Sequence, residues 1–315
     1  MDQSDFGGGL VKALVSGDSG LRLDSVAEPE PRPDQALVEV HAIAVNRGEL
    51  ALMGQLPPGS RLGWDVAGTV LRAAADGTGP VAGTRVTALA ERDGWAERIA
   101  LSPTRLTPVP SGMDWPAAAA LPVAGLTALY ALEYAGPLLG RSVVITGAGG
   151  GVGRMLVQLA AAAGAEVIAQ VGSPDRAEGL RSLGAHTVGT YEEGDAAGGP
   201  VDVLVDSVGG QVLAGAFGRV RPGGTVVCYG NTVREELRLP LDWGHARPGL
   251  RISYLHLFDE VTRRSVARDL ASLVRLVAEG RLTPEVAAVG SWSDPEPALD
   301  ALRQRRANGK VVLTL

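Results

Sequence analysis

The spacing of apolar residues changes character along the chain. Up to about residue 120, short valine-rich runs such as QALVEVHAIAV, DVAGTVLRAA and RVTALA are separated by turn-forming pieces such as PEPRPD and GQLPPGS. Short apolar runs bounded by glycine and proline are typical of β-strands. The pattern predicts an all-β unit, either a barrel or a sandwich.

From Ala117 the chain is alanine-rich and helical up to about Gly136, and strands and helices then alternate. Four apolar runs predict strands: SVVITGA, EVIAQVG, VDVLVDSV and GGTVVCYG. Helices are predicted between them, over SPDRAEGLRSLGA with Ser173 as N-cap, and from about Gln211 to Val220. This alternation indicates βαβ units, hence a parallel sheet with helices on both faces.

The predicted helix after SVVITGA has one apolar face and a stop at Gly164. That face comprises Val152, Met155, Leu156, Leu159, Ala160 and Ala163. Towards the end of the chain, SVARDLASLVRLVAEGRL predicts an amphipathic helix, and ALDALRQRRANGKVVLTL predicts a helix followed by a final strand.

Composition excludes several classes of function. The 315 residues suffice for two domains, and a net charge of −6 gives no general attraction to nucleic acid or anionic membranes. The first residues, MDQSDFGGGL, do not resemble a secretory signal. The longest apolar run, from Ala117 to Leu132, contains Pro122 and is too short to span a bilayer comfortably. We therefore expect a cytoplasmic protein without nucleic-acid or membrane partners.

Cysteine and histidine give no pattern of a metal site. The single cysteine, Cys228, excludes an internal disulfide and a four-cysteine zinc site, and its apolar run TVVCYG predicts a buried thiol. The four histidines have no pairwise spacing typical of metal ligands. They are His41, His186, His245 and His256.

A glycine cluster lies between the first predicted strand and helix of the βαβ region. It comprises Gly147, Gly149, Gly150, Gly151 and Gly153. A dinucleotide needs such a loop, because the backbone must approach the pyrophosphate closely and the following helix offers free N–H groups. The strand before, the helix after and the βαβ continuation agree with this interpretation.

The next predicted strand ends without the acid that usually binds the ribose hydroxyls of NAD. Glu166 lies at the start of that strand, and Asp175 lies in the helix that follows. Without an acid to repel it, a 2′-phosphate can enter, with Ser173 donating a hydrogen bond and Arg176 offering a bidentate charge. The sequence therefore favours NADP(H) over NAD(H).

At this point nearly the whole chain resembles the medium-chain dehydrogenase/reductase superfamily, in its zinc-independent quinone oxidoreductase branch. The segments that carry the resemblance are ALVEVHAIAVNRGEL, LGWDVAGTV, GWAERIAL, AAALPVAGLTALYAL, VVITGAGGGVG and RANGKVVL. The resemblance implies a GroES-like β domain over residues 1–120 and a Rossmann domain over 121–256. A C-terminal segment, 257–315, would return to the first domain.

The resemblance also implies roles for individual residues. Asn46 and Thr127 would line the nicotinamide end, and Gly150, Gly151 and Val152 would lie against the pyrophosphate, beside Gly147 and Gly153. Ser173, Arg176 and Tyr191 resemble the family's 2′-phosphate set. Further cofactor contacts are expected from the segments CYGN and ANGK, namely Tyr229, Asn231, Asn308 and Lys310.

Two departures from the family bear on the chemistry. The zinc ligands of the zinc-dependent members are missing, and Asp65 stands alone where those members have a His-Glu pair, so we expect no metal. The tyrosine that usually follows the active-site asparagine by five positions is Ala51 here, while Glu49 takes the usual place of an acid. Asn46, Thr127 and Lys310 then remain as groups that could polarise a substrate oxygen.

The expected activity is NADPH-dependent hydride transfer to a quinone or an α,β-unsaturated carbonyl. Two alternatives stay open: a tailoring reductase or cyclase of a biosynthetic pathway on the same scaffold, and a non-catalytic NADPH-binding redox sensor. We also expect a homodimer, because the apolar run from Leu250 to Leu257 would end the sheet, and the family commonly pairs such an edge with its symmetry mate.

Overall fold

A computed structural model of the chain describes residues 9–17, 20–193, 199–239 and 241–315. These residues form two compact units. The first contains the described residues up to Val123 together with Arg264–Gly280 and Pro284–Leu315, and the second contains Ala124–Arg263 and Arg281–Thr283. The first unit is thus discontinuous in sequence.

The strands, in chain order, are β1 (Leu10–Gly17), β2 (Gly20–Ala27), β3 (Ala36–Val45), β4 (Asp65–Arg72), β5 (Arg85–Leu89), β6 (Arg98–Leu101), β7 (Leu106–Pro108), β8 (Ser142–Thr146), β9 (Glu166–Val171), β10 (Thr187–Thr190), β11 (Val201–Asp206), β12 (Val220–Cys228), β13 (Arg251–Tyr254), β14 (Val286–Ser291) and β15 (Lys310–Thr314). The helices are α1 (Arg47–Met53), α2 (Trp115–Ala119), α3 (Pro122–Ala135), α4 (Gly151–Ala162), α5 (Gly210–Phe217), α6 (Trp243–Ala246), α7 (Leu257–Glu260), α8 (Val266–Ala278) and α9 (Glu296–Arg303).

The first unit is built on β-strands, as the sequence predicts. Its main sheet has the order β14-β15-β3-β4-β5-β7, with β6 also paired to β3, and the hairpin β1–β2 forms a second sheet. The C-terminal strand β15 pairs antiparallel with β3, which brings Val312 opposite Ala44. A large core of valine, leucine and isoleucine packs around the buried Trp95. The late segment is therefore an integral part of this sheet.

The second unit contains a six-stranded sheet of order β10-β9-β8-β11-β12-β13 in which all neighbours are parallel. This is the strand order of a Rossmann fold. The order reverses between β8 and β11, and ligands of such sheets bind at the carboxyl ends of the strands at this point. The predicted α/β class, a unit of β-strands together with a doubly wound parallel sheet, is confirmed.

Helix α4 follows the glycine cluster and ends before Gly164, as predicted. Its buried face differs from the predicted apolar face, because Arg154 and Gln158 are buried as well, whereas Ala163 lies just after the helix and is exposed. The side chain of Gln158 accepts from the backbone N–H of Thr283 (2.8 Å) and donates to its carbonyl oxygen (3.0 Å). This pair of bonds holds the short connection 281–283 against the second unit.

The helix predicted over SPDRAEGLRSLGA is wrong. The structure has one 3-10 turn, Pro174–Ala177, followed by further turns. Gly179 adopts φ +76°, a left-handed conformation that interrupts a helix, and Gly184 adopts φ +107°. Ser173 does take the predicted N-cap position, but its side chain makes no capping bond. Two glycines therefore outweigh the helical propensity of their neighbours.

The boundaries of the two units differ slightly from the domain boundaries expected from sequence. The first boundary falls at Val123 instead of residue 120, and residues 257–263, expected in the C-terminal segment, belong to the second unit. The predicted late strand is β13, which covers four of the eight expected residues and does lie at the edge of its sheet. Over the described ranges, no helix is long and apolar enough to cross a membrane.

Candidate functional site

The glycine cluster forms a tight turn between β8 and α4. A Cβ at Gly153 would collide with the carbonyl oxygen of Gly147, so only glycine lets the helix begin this close to the strand. Gly150 takes the N-cap position, where it has no side chain to bond the first N–H groups of α4. The turn therefore presents uncapped backbone donors at a helix N-terminus, as binding of a pyrophosphate requires. Val152 is half-buried in the first turn of α4.

The expected 2′-phosphate residues lie together beside this turn. Arg176 packs against Gly149: a Cβ added at Gly149 would lie 2.8 Å from the carbonyl oxygen of Arg176 and 3.2 Å from its Nε. The phenol oxygen of Tyr191 accepts a hydrogen bond from the N–H of Gly147 (3.1 Å), and its ring lies against Gly172. Ser173 is half-buried next to Gly172. The fold thus brings a guanidinium, a phenol and a hydroxyl to the end of β9.

The strand β9 itself does not end in an acid, and the nearest acid along the chain, Asp175, lies in the 3-10 turn that follows. The strand ends with the buried pair Gln170 and Val171, while Glu166 is exposed at the opposite end. A buried carboxylate does lie close by, on β11. Asp206 accepts from Oγ1 of Thr146 and from the N–H of Gly209 (2.9 Å), and burial raises its pKa, although these bonds oppose the shift.

Tyr229 and Asn231 lie on the loop that leaves β12. The N–H of Tyr229 donates to the carbonyl oxygen of Asp206 (2.9 Å), and burial raises the pKa of its phenol above the usual value. Asn231 is exposed, and its side chain bonds the backbone of Glu235 through both amide atoms. The two residues therefore border the carboxyl end of β11, next to Gly209.

A buried polar cluster lies in the first unit, and sequence reasoning found only part of it. It consists of Asn46, Glu49, Asp65 and Lys310, and we call it the Asp65 cluster. Nζ of Lys310 donates to Oδ2 of Asp65 (2.7 Å) and to Oδ1 of Asn46 (2.7 Å). Both carboxylates are completely buried, and Lys310 is 4% exposed.

The amide of Asn46 is fully used inside the Asp65 cluster. Its Nδ2 donates to Oδ2 of Asp65 (2.8 Å) and to Oε2 of Glu49 (3.0 Å). Its Oδ1 accepts from Lys310, which fixes the orientation of the amide because an ammonium has no acceptor. Asn46 was expected to polarise a substrate oxygen, and in this geometry it has no N–H left for that task.

Thr127 and Asn308 complete the set of expected site residues. Thr127 lies in α3 and is 6% exposed, in the second unit. Asn308 is half-buried two residues before Lys310, in the first unit. The predicted buried thiol is confirmed: burial, with a smaller contribution from Asp206, raises the pKa of Cys228 to about 12, which leaves it unreactive near neutral pH.

The described part of the chain contains no group of three or more His, Cys, Asp and Glu residues arranged to hold a metal ion. Asp65, where the zinc-dependent relatives would have ligands, has a lysine ammonium as its neighbour. The acceptor oxygens of Glu49 are likewise used by the N–H groups of Asn46 (2.8 Å) and Trp64 (2.8 Å). The expected absence of a catalytic metal stays a prediction.

The Asp65 cluster makes stability depend on pH. Burial, followed by the charge of Asp65, raises the pKa of Glu49 from 4.5 to about 8. The folded protein therefore holds this proton more tightly than the unfolded chain, so the free energy of unfolding falls as pH rises between these values. In Glu49→Gln we expect this decline to disappear, measured as urea unfolding at a series of pH values.

The exposed Glu166 provides the control, since Glu166→Gln should keep the wild-type slope. An unchanged slope in Glu49→Gln would contradict the shifted titration of Glu49.

Comparison with known proteins agrees with this geometry. The family model described as "Alcohol dehydrogenase GroES-like domain" matches residues 32–111, and the model described as "Zinc-binding dehydrogenase" matches residues 183–313. The quinone oxidoreductase-like protein 2 of Bos taurus is 28% identical over 314 residues, which cover 94% of this chain and 89% of that protein.

One relative is much longer. The spectinabilin polyketide synthase system protein NorB of Streptomyces orinoci is 34% identical over 320 residues, which cover 98% of this chain but 14% of that protein. Among solved structures, the quinone oxidoreductase of Thermus thermophilus, also solved in complex with NADPH, is 29% identical and has a TM-score of 0.82, covering 96% of this chain and 100% of that one. The chain belongs to the medium-chain dehydrogenase/reductase superfamily, in the zinc-independent, quinone oxidoreductase-like branch.

Proposed function

We propose that this protein is an NADPH-dependent reductase that transfers hydride, without zinc, to a quinone or an α,β-unsaturated carbonyl. The observation that carries the proposal is the site at the end of β9. Arg176 lies against Gly149, Tyr191 bonds Gly147, and Ser173 follows the strand, which itself does not end in an acid. A 2′-phosphate needs donors and a cation, whereas an acid at this place would repel it. The solved relative that was studied with NADPH supports the same choice of cofactor.

The residues present fit NADP(H). When bound, the cofactor supplies the hydride. The uncapped start of α4 would hold the pyrophosphate through its N–H groups, and Gly153 keeps side-chain atoms out of the way. Tyr229, Asn231 and Asn308 are proposed as further cofactor contacts. Arg176 would select the phosphorylated form of the cofactor by charge.

After hydride transfer, the substrate oxygen needs hydrogen-bond donors. Hydride addition to a quinone or an enone leaves an oxyanion, which preorganised donors stabilise until water protonates it. Ala51 of α1 replaces the phenol that could otherwise give the proton. Lys310 and Thr127 are the proposed donors, while the role of Asn46 is considered below.

A biosynthetic tailoring reductase is a second candidate for the same chemistry. The relative NorB, which belongs to a polyketide synthase system, aligns with 98% of this chain. An enone or an unsaturated thioester in a growing product would then be the electrophile. A cyclase on the same scaffold would use the cofactor site without net oxidation of NADPH.

A substrate screen tests the function. We expect the purified protein to oxidise NADPH, followed by absorbance, when a quinone such as phenanthrenequinone or a simple enone is added. Dialysis against a strong chelator should leave the rate unchanged, and elemental analysis should find no stoichiometric zinc. Reduction of enones but not of quinones would favour the tailoring reductase. If no acceptor of either class oxidises NADPH, the proposed substrate class is wrong.

The choice of cofactor is tested at Arg176. Opposite charges in a half-exposed site contribute modestly, so Arg176→Ala should raise the KM for NADPH about tenfold and leave the KM for NADH nearly unchanged. Arg181→Ala is the matched control: this exposed arginine on the same series of turns bonds the carbonyl oxygen of His186 and has no proposed cofactor contact. Equal losses with both cofactors would mean that Arg176 acts only in folding.

We also propose a homodimer formed through the edge strand β13. Its side chains Ile252 and Tyr254 are 43% and 62% exposed, and the strand has an unpaired edge. Ile252→Lys would place like charges close to a two-fold axis, so we expect the dissociation constant of the dimer to rise at least tenfold, measured by analytical ultracentrifugation.

Val289→Lys is the control for the dimer, because Val289 is an equally exposed apolar residue (54%) on β14, the edge strand of the other sheet. A wild-type monomer at micromolar concentration would contradict the proposal, as would dissociation by Val289→Lys alone.

A further inference from the structure

The carboxylate of Asp65 joins three distant segments of the first unit. Its Oδ2 accepts from Lys310 (2.7 Å) and Asn46 (2.8 Å), and its Oδ1 accepts from the backbone N–H of Val123 (2.7 Å). All three contacts are donors, and the carboxylate is completely buried. Asp65 therefore contacts both Lys310 and Asn46, which are the two polar side chains of the first unit that were expected to act on the substrate.

The composition of the chain shows that a lysine at position 310 is unusual for this protein. Of the 29 basic residues, two are lysines, Lys12 and Lys310. Arginine is thus the ordinary cation of this sequence, and a lysine in the Asp65 cluster indicates a need for a compact ammonium with three donors in place of a planar guanidinium. Two of these donors are used by Asp65 and Asn46, which leaves one N–H for another oxygen.

We propose that Asp65 is a positioning residue, that Asn46 is a second positioning residue, and that Lys310 is the only donor of the Asp65 cluster to the oxygen of the substrate. This inference rests on the proposed hydride transfer. Asp65 aims the ammonium through a direct ion pair, while Asn46 holds its second hydrogen. Asn46 cannot take the role of direct donor, because Asp65 and Glu49 use both of its N–H bonds.

The acidic groups that face the ammonium are Asp65 of β4 and Glu49 of α1. Asp65 is the one in direct contact, and a buried cation that loses its counter-ion gives up its proton more easily. In Asp65→Asn, which keeps the shape of the side chain, the pH at which kcat falls on the basic side should therefore move to lower pH. We expect kcat to fall about a hundredfold while the KM for NADPH changes less than twofold.

Chemical labelling measures the same effect without any substrate. Amine-reactive reagents attack the neutral form of lysine, and the exposed Lys12 provides an internal reference in every sample. In Asp65→Asn, we expect acetylation of Lys310 relative to Lys12, followed by mass spectrometry, to be at least tenfold faster. Glu260→Gln is the matched control, since Glu260 is also a buried and paired carboxylate but lies in the second unit. It should change neither the labelling ratio nor the pH profile.

The double variant Asp65→Asn/Lys310→Met separates positioning from folding. It removes both members of the ion pair, so it should fold even where Asp65→Asn alone does not. If Asp65 acts through Lys310, the double variant has the same kcat as Lys310→Met. A much lower kcat in the double variant overturns the inference, and so does an unchanged labelling ratio in Asp65→Asn.

The proposed function and this inference fail in different ways. If the wild-type protein reduces no quinone or enone, the proposed function falls, and the labelling ratio still decides whether Asp65 controls the protonation of Lys310. If the wild type is active and Lys310→Met retains its kcat, the function stands and the inference is overturned.

Discussion

The buried ion pair between Asp65 and Lys310 is the interaction on which the first unit depends most. Two charges with almost no exposure to water are tolerated only when close pairing and further hydrogen bonds offset their lost hydration. Here the carboxylate accepts from Lys310, Asn46 and Val123, and each of these belongs to a different segment of the chain. Val123 is the second residue of α3, so a distant carboxylate satisfies one of the N–H groups that a helix start leaves open.

The pair also explains how the C-terminal segment becomes part of the first unit. Lys310 is the first residue of β15, and this strand pairs with β3, which ends immediately before Asn46. Backbone pairing of the strands brings the ammonium to the amide, and Asp65 at the start of β4 supplies the charge. Glu49 adds a second buried acid that holds its proton up to about pH 8, which limits the negative charge collected in this small volume.

The glycine turn of the second unit follows a simpler rule, which is steric. Gly153 can only be glycine because of the backbone of Gly147, and Gly149 leaves room for Arg176. The sequence predicted this turn and its ligand class from a few neighbouring residues. It did not predict the loss of the helix after β9, although Gly179 and Gly184 stand within that run. The residues around these glycines favour a helix, but the glycines adopt left-handed conformations that a helix does not allow.

By itself the sequence determined the change from β-strands to alternating strands and helices, the parallel sheet, the glycine turn and the absence of an acid as the last residue of β9. These features depend on residues that are close together in the chain, where spacing and side-chain type limit the possible conformations. The partners of Lys310 could not be predicted in this way. Asp65 lies 245 residues from it and Asn46 lies 264 residues from it, so only the pairing of β15 with β3 and of β3 with β4 decides that these side chains meet.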